Sequence, residues 1–409
     1  MFTKSRLYLA AAAAAALLAA PAQAQDVKIG GLFGVTGPIA SLVPPIVEST
    51  KLAVKHVNDQ GGILKGKLEL VIADGQCNPQ AAAAAAKKLV DVDKVVAIVG
   101  ELCSGATIAA AEAAAIPAGV VMISPASTAP TITTLKDKDF VFRTCPSDAF
   151  QGEQLAKYLM NRGIKKLALT FMNNDYGRGL AGSFRAAYKK AGGQITADLE
   201  HNEKAASFRA ELATLAKAKP EYLLMIAYAN SSGPVILKQA LEGGFFKKFI
   251  GSEGTRDPKL YEQIGIKNLE GMIISASGEP AGKNLDAFNA ELGKVNKDHV
   301  GKPFTAHSYD AAFMLALAIE TAGSTDRTKV RDALRQIASM ANRRESANNI
   351  VINPGEWKKA KDAIAAKKKV FYNGAAGNHV FDKAGDVTGV VDIYEIKNGK
   401  EEKIVTIKP

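Results

Sequence analysis

Ser104, Ser127 and Thr128 are the residues whose types and spacing first suggest chemistry. Val95–Val99 is an apolar run of strand length that ends in Gly100, just ahead of Ser104, and Gly119–Ile123 runs likewise into Ser124–Thr128. Small hydroxyls beside the start of a helix can meet an anion together with the unpaired N–H groups of the first helical turn. Parallel strands would deliver both loops to one carboxyl edge, where open α/β sheets hold their ligands. The pattern reads as a cradle for a small carboxylate, with plain helix capping as the alternative for Ser104 and Thr128.

A second pattern points elsewhere. Gly177, Gly179 and Gly182 spell G-x-G-x-x-G between a predicted strand and a predicted helix, and Asp198 follows as a dinucleotide site would require. However, Met172 to Tyr176 separate the strand from the first glycine, whereas the fingerprint turn follows its strand closely. The histidines, His56, His201, His299, His307 and His379, fall singly, without H-E-x-x-H or paired Cys/His spacing, and there is no G-x-S-x-G elbow. Binding is therefore expected and catalysis is not, with no cofactor and no metal.

The elements that must position these residues follow from periodicity. Val27–Phe33, Leu68–Ala73, Val95–Val99 and Gly119–Ile123 read as strands, with helices over Val47–Asn58 and Ala81–Val90, the first stopped by Gly61-Gly62. This is a doubly wound parallel sheet. A second unit of the same class follows: helix Gln151–Arg162, strand Lys166–Phe171, helix Leu180–Ala191, strand Ile195–Leu199, helix Phe208–Ala218, strand Tyr222–Ile226, helix Val235–Leu241 and strand Phe249–Gly251. The remainder has a strand over Gly271–Ser275, helices over Leu285–Val295, Thr305–Thr321 and Lys329–Ile337, and a hairpin-like region within Phe381–Ile407. The apolar run Ala311–Ile319 is too short to span a bilayer and reads as a buried helix.

A chain of 409 residues with 47% hydrophobic and 23% charged residues suggests two soluble domains. Lys4 and Arg6, the apolar run Leu7–Ala20 and the small residues Ala22-Gln23-Ala24 form a secretory signal pattern over residues 1–24. Removing its two basic residues takes the formal net charge from +11 to +9. The lysines fall in scattered pairs near helix ends and form no basic stripe with interleaved aromatics, so nucleic acid is not the expected partner.

LCSGAT at Leu102–Thr107 and ISPASTAP at Ile123–Pro130 resemble the leucine/isoleucine/valine-binding protein family, the periplasmic binding components of ABC importers. TGP at Thr36–Pro38, NDQGGI at Asn58–Ile63, NDYG at Asn174–Gly177 and SEG at Ser252–Gly254 extend the resemblance in the family's order. It implies a type I periplasmic binding fold, two doubly wound α/β lobes joined by a three-strand hinge. The lobes would be 25–143 with 277–384, and 144–276 with 385–409. It also implies a periplasmic, monomeric protein that delivers an amino acid, branched-chain aliphatic by preference, to an inner-membrane permease. Cys77 and Cys103, after neighbouring predicted strands, would form a disulfide, and Cys145 remains a buried thiol.

Carried over by motif, Ser104 and Thr128 would take the ligand carboxylate with the backbone at Ala126. Tyr176 and Glu253 would close from the second lobe, Glu253 pairing the ammonium. Leu42 would line the side-chain pocket, and either Tyr228 or Ala229 would supply an aromatic-wall position. Arg256 is open to three readings: exposed, paired with Glu253, or reaching the cleft to favour a further carboxylate. The alternatives are therefore an aromatic or other carboxylate lacking an ammonium, or a ligand-sensing receptor subunit.

Overall fold

The computed structural model describes residues 26–339 and 345–409. The expected signal peptide lies outside these residues. Five strands, β1 (Val27–Phe33), β2 (Leu68–Asp74), β3 (Ala97–Gly100), β4 (Val121–Ser124) and β5 (Val141–Arg143), form an all-parallel sheet in the order β2-β1-β3-β4-β5. The next five, β6 (Lys166–Met172), β7 (Gln194–His201), β8 (Tyr222–Ile226), β9 (Lys248–Ser252) and β10 (Ile273–Gly278), are also mutually parallel, in the order β7-β6-β8-β9-β10. Both units thus carry one topology. Its order reverses at the first strand of each unit, which opens a crevice at the carboxyl ends.

The C-terminal part of the chain differs from the sequence expectation in two respects. β11 (Asn349–Ile352) and β12 (Lys369–Tyr372) form a separate parallel pair around the helix Trp357–Ala365, a unit that periodicity did not reveal. β13 (Val390–Lys397) and β14 (Lys400–Ile407) then add to β10 as an antiparallel edge, so the second sheet is mixed rather than purely parallel. The chain leaves the first sheet for the second after β5, and between β10 and β13 it returns to pack the helix Thr305–Ala322 on the first unit.

The core of the first unit is organised around the helix Thr305–Ala322, buried without interruption from Thr305 to Ile319. A helix apolar all round needs cover on every side; the helix Val43–Asp59, β3, β4 and the helix Arg327–Ile337 provide it. Among the described residues no helix is long and apolar enough to cross a membrane. Trp357 buries its ring edge-on against Phe313 and donates its indole N–H to Gly62 O at 2.9 Å, which ties the β11–β12 unit to the Gly61-Gly62 turn.

Candidate functional site

The carboxyl edges of the two sheets face each other across a cavity. From the first unit it is lined by Ile39, Leu42 and Ile46 near the start of the helix Val43–Asp59, by Leu102, Cys103 and Ser104 after β3, and by Ala126 after β4. Tyr176, at the start of the helix Asp175–Lys190 after β6, Tyr228 after β8, and Glu253 and Gly254 in the 3-10 turn after β9 line it from the second unit, together with Phe304 just before the helix Thr305–Ala322. About 40 Å³ is free to the centre of a water molecule, room for a few waters or a small aliphatic ligand. The helices at the two edges approach closely. A Cβ on Gly105 would stand 2.6 Å from an Asp175 oxygen, and one on Gly179 would stand 2.8 Å from Pro130. Two glycines of the dinucleotide-like pattern are therefore accounted for locally: Gly179 by this approach, and Gly177 because a Cβ there would collide with Met172 O. Asp198 is engaged by Arg185 on the surface.

Of the three hydroxyls that opened the sequence reading, Ser104 lies on the cavity. Its Oγ accepts from Ala129 N–H at 3.2 Å, which leaves its own proton free to donate. Ser127 is fully buried behind it, on Thr107 Oγ1 at 2.7 Å and Glu101 O at 3.2 Å. Thr128 turns its hydroxyl to Asp148 Oδ2 at 3.0 Å. Ala126 and Leu42 line the cavity, as does Tyr228, whereas Ala229 packs into the core of the second unit. Tyr176 and Tyr228 stack with ring centroids 5.4 Å apart and planes 7° from parallel, and Tyr176 OH lies 2.6 Å from Ser252 Oγ. The pair forms a flat aromatic wall.

Glu253 is 4% exposed. Its Oε2 accepts from Gln151 Nε2 at 2.5 Å, and its Oε1 has no protein partner. Gln151 and Asp148 lie one turn apart at the start of the helix Asp148–Asn161. Asp148 is fully buried and its Oδ1 is also without a protein partner. Burial, and then the neighbouring Glu253 charge, push the Asp148 carboxyl well above the usual carboxylate range; burial raises Glu253 too. The nearest compensating cation, Arg143, is bound to Asp386 at 2.6 and 2.7 Å. No basic side chain is among the described residues lining the cavity. Glu253 thus presents a free oxygen in a cavity that a cationic group would complete, with the second buried acid, Asp148, behind it and outside the lining.

Arg256 takes another course. Its guanidinium pairs with Glu401 on β14 at 2.9 Å and lies 3.8 Å from the centroid of the Tyr394 ring, away from the cavity lining. Asp148, Gln151 and Phe304 are site residues that sequence reasoning did not single out. Cys77 and Cys103 form the disulfide, with Cα atoms 5.2 Å apart. Cys145 is buried, and burial pushes its thiol up.

The sequence model of a family described as periplasmic binding protein matches residues 26–350. The chain belongs to the periplasmic binding protein family. A curated relative of this periplasmic binding protein is the leucine-, isoleucine-, valine-, threonine- and alanine-binding protein of Pseudomonas aeruginosa, 33% identical over 337 residues, or 81% of this chain and 87% of the relative. Among solved structures, the leucine-binding protein of Thermotoga maritima superposes with a TM-score of 0.77 at 27% identity, covering 94% of the binding protein and 99% of that chain. A branched-chain amino acid transporter substrate-binding protein of Streptococcus pneumoniae, solved with isoleucine, gives a TM-score of 0.77 at 26% identity over 94% of this chain and all of the other.

Proposed function

We propose that this protein is the extracytoplasmic solute-binding component of an ABC importer, that it binds a small aliphatic amino acid between its lobes, and that it presents the closed form to a membrane permease. One observation carries the amino-acid reading: the buried pair Asp148 and Glu253, each with an unpartnered oxygen. Burying two like charges is costly unless a cation completes the site. An α-ammonium supplies that cation. Ser104 Oγ and the adjacent backbone at 104 and 126 take the α-carboxylate, and Leu42, Ile39 and Phe304 enclose the side chain beside the stacked tyrosines. The similarity to leucine- and isoleucine-binding proteins supports the same choice.

The lobes are 25–143 with 277–384, and 144–276 with 385–409. Ligand binds by completing contacts available only when they close, which shifts an open and closed equilibrium by its differential affinity. A thermal-shift panel on ligand-stripped protein tests the reading. At a hundred times its dissociation constant a ligand stabilises by about 2.7 kcal/mol, so aliphatic amino acids should raise the melting temperature clearly. Shifts with benzoate or aliphatic dicarboxylates, and none with amino acids, would overturn the ammonium site.

A further inference from the structure

The loop 36–42 carries two of the cavity's wall residues, Ile39 and Leu42, and is held at its two ends by different halves of the molecule. Its root is fixed on the first sheet, where Thr36 N and Oγ1 donate to the two oxygens of Asp74 at 3.2 and 2.6 Å. Its far end is fixed across the cleft. Asn230, in the loop after β8, donates its N–H to Pro38 O at 3.0 Å. Asn230 Oδ1 accepts from Ser41 N at 3.0 Å and lies 2.6 Å from Ser41 Oγ. The same hydroxyl reaches the Asp257 carboxylate. Asp257 stands on a firm support, since it caps the helix Pro258–Ile264 by accepting from Lys259 N–H at 2.8 Å. The helix that begins just after Leu42 has no side-chain cap of its own. The bonds across the cleft supply the restraint a cap would give.

We infer that Ser41 is a specificity-determining residue that reads the size of the ligand's side chain: its bonds to Asn230 and Asp257 form only when the group packed against Ile39 and Leu42 lets the loop seat against the opposite lobe. The inference rests on the function proposed above. Hydrogen bonds weaken steeply with distance and angle, so a ligand that holds the loop out forfeits the whole set at once. Apolar walls alone discriminate one methylene by only about 10- to 200-fold. The latch converts a graded steric contact into an additional, nearly all-or-none term, without touching the ligand.

The test compares dissociation rates from the wild type, Ser41→Ala and Asn230→Ala for four probes: L-valine, L-leucine, L-phenylalanine and benzoate. For the tightest-binding probe, each variant should release ligand about tenfold faster, the effect of losing one or two such bonds. The weakest-binding probe should leave wild type and variants at the same rate, so discrimination shrinks. The losses in the double variant should be less than additive, because Ser41→Ala and Asn230→Ala remove one contact in common, and the ligand-free melting temperature of Ser41→Ala should stay at the wild-type value, which separates a latch from a general packing role. Dissociation rates for the tightest probe that are equal in wild type and Ser41→Ala overturn the inference. If benzoate binds and the amino acids do not, the amino-acid reading fails while the latch is still read on benzoate.

Discussion

Thr128 and Asp148 bind each other twice: Asp148 N–H donates to Thr128 O at 2.8 Å, and Thr128 Oγ1 donates to Asp148 Oδ2 at 3.0 Å. The reciprocal pair fixes one oxygen of the buried carboxyl and leaves Oδ1 free. Gln151 does the same for Glu253 from one turn further along the helix, with additional contacts to Ser275 Oγ at 3.3 Å and Ser275 O at 3.5 Å. The two acids are therefore held by a short, rigid stretch of helix and not by mobile loops.

Replacing Glu253 by Gln should weaken amino-acid binding by about 2–5 kcal/mol, the range for truncating one partner of a buried, hydrogen-bonded charge pair. Isothermal titration of wild type and variant with L-leucine measures it directly. An unchanged dissociation constant would remove Glu253 from the ammonium site.

Binding of an ammonium should release protons. Burial raises the carboxyl pKa values of Asp148 and Glu253 in the empty protein, and the Glu253 charge raises Asp148 further; a bound cation favours their charged forms. Affinity should therefore fall as pH is lowered through the raised values, and titrations in buffers of different ionisation enthalpy should show net proton release on binding. In Asp148→Asn the release should be smaller.

Glu101 gives a separate pH signature, in stability. It is fully buried behind the disulfide, its Oε2 accepts from Cys103 N–H at 2.6 Å, and its Oε1 has no protein partner. Burial pushes its carboxyl up to about 7. A raised folded pKa means that the native state holds the proton more tightly than the unfolded chain, so the contribution is fully present below the ordinary carboxylate range and is lost as pH rises toward 7. Glu101→Gln should match wild type near pH 4 and become the more stable of the two at pH 8, as read by denaturant unfolding of ligand-free protein. An identical pH slope in the two proteins would exclude Glu101 as the titrating group.

Asp386 holds Arg143, a fully buried guanidinium that also donates to Ser127 O at 3.3 Å and Ala129 O at 3.0 Å, in the loop that carries Thr128. Asp386→Ala leaves that charge uncompensated and should cost about 3–5 kcal/mol of stability. Because the same guanidinium props the site loop, ligand affinity should fall too; equilibrium unfolding with and without L-leucine separates the two losses.

The alternation of strand and helix in both units and the cavity edge were legible in the sequence because both rest on local signals: apolar runs, a small polar loop, a helix start. Ser104, Tyr176 and Glu253 follow their strands directly, so a motif read along the chain places them. Arg256 shows the limit. Its partners Glu401 and Tyr394 belong to the antiparallel edge that joins β10 from the far end of the chain, and no local pattern links them. Asp148 escaped notice for the opposite reason, since an acid in the first turn of a helix is ordinary dipole chemistry and only the fold brings Glu253 beside it. The helix Pro258–Ile264 had a readable signature, Asp257 as cap with proline next. β11 and β12 are no shorter than β3 and β4, but β11 is mostly half-buried and β12 begins on an exposed lysine, so neither shows the fully apolar run of a central strand.

The helix Asp148–Asn161 begins five residues after β5, where the chain first leaves one sheet for the other, and its first turn holds both acids. Ser41 and Asn230 tie the loop before the helix Val43–Asp59 to the loop after β8, and neither lies next to that crossing in the chain. In the proposed opening of the lobes, a group beside the crossing is displaced least, so the ammonium anchor should stay formed longer than the Ser41 contacts. A ligand should consequently arrive amino end first and depart side chain first, and a molecule that has only the anchoring group should still find a foothold on the open protein.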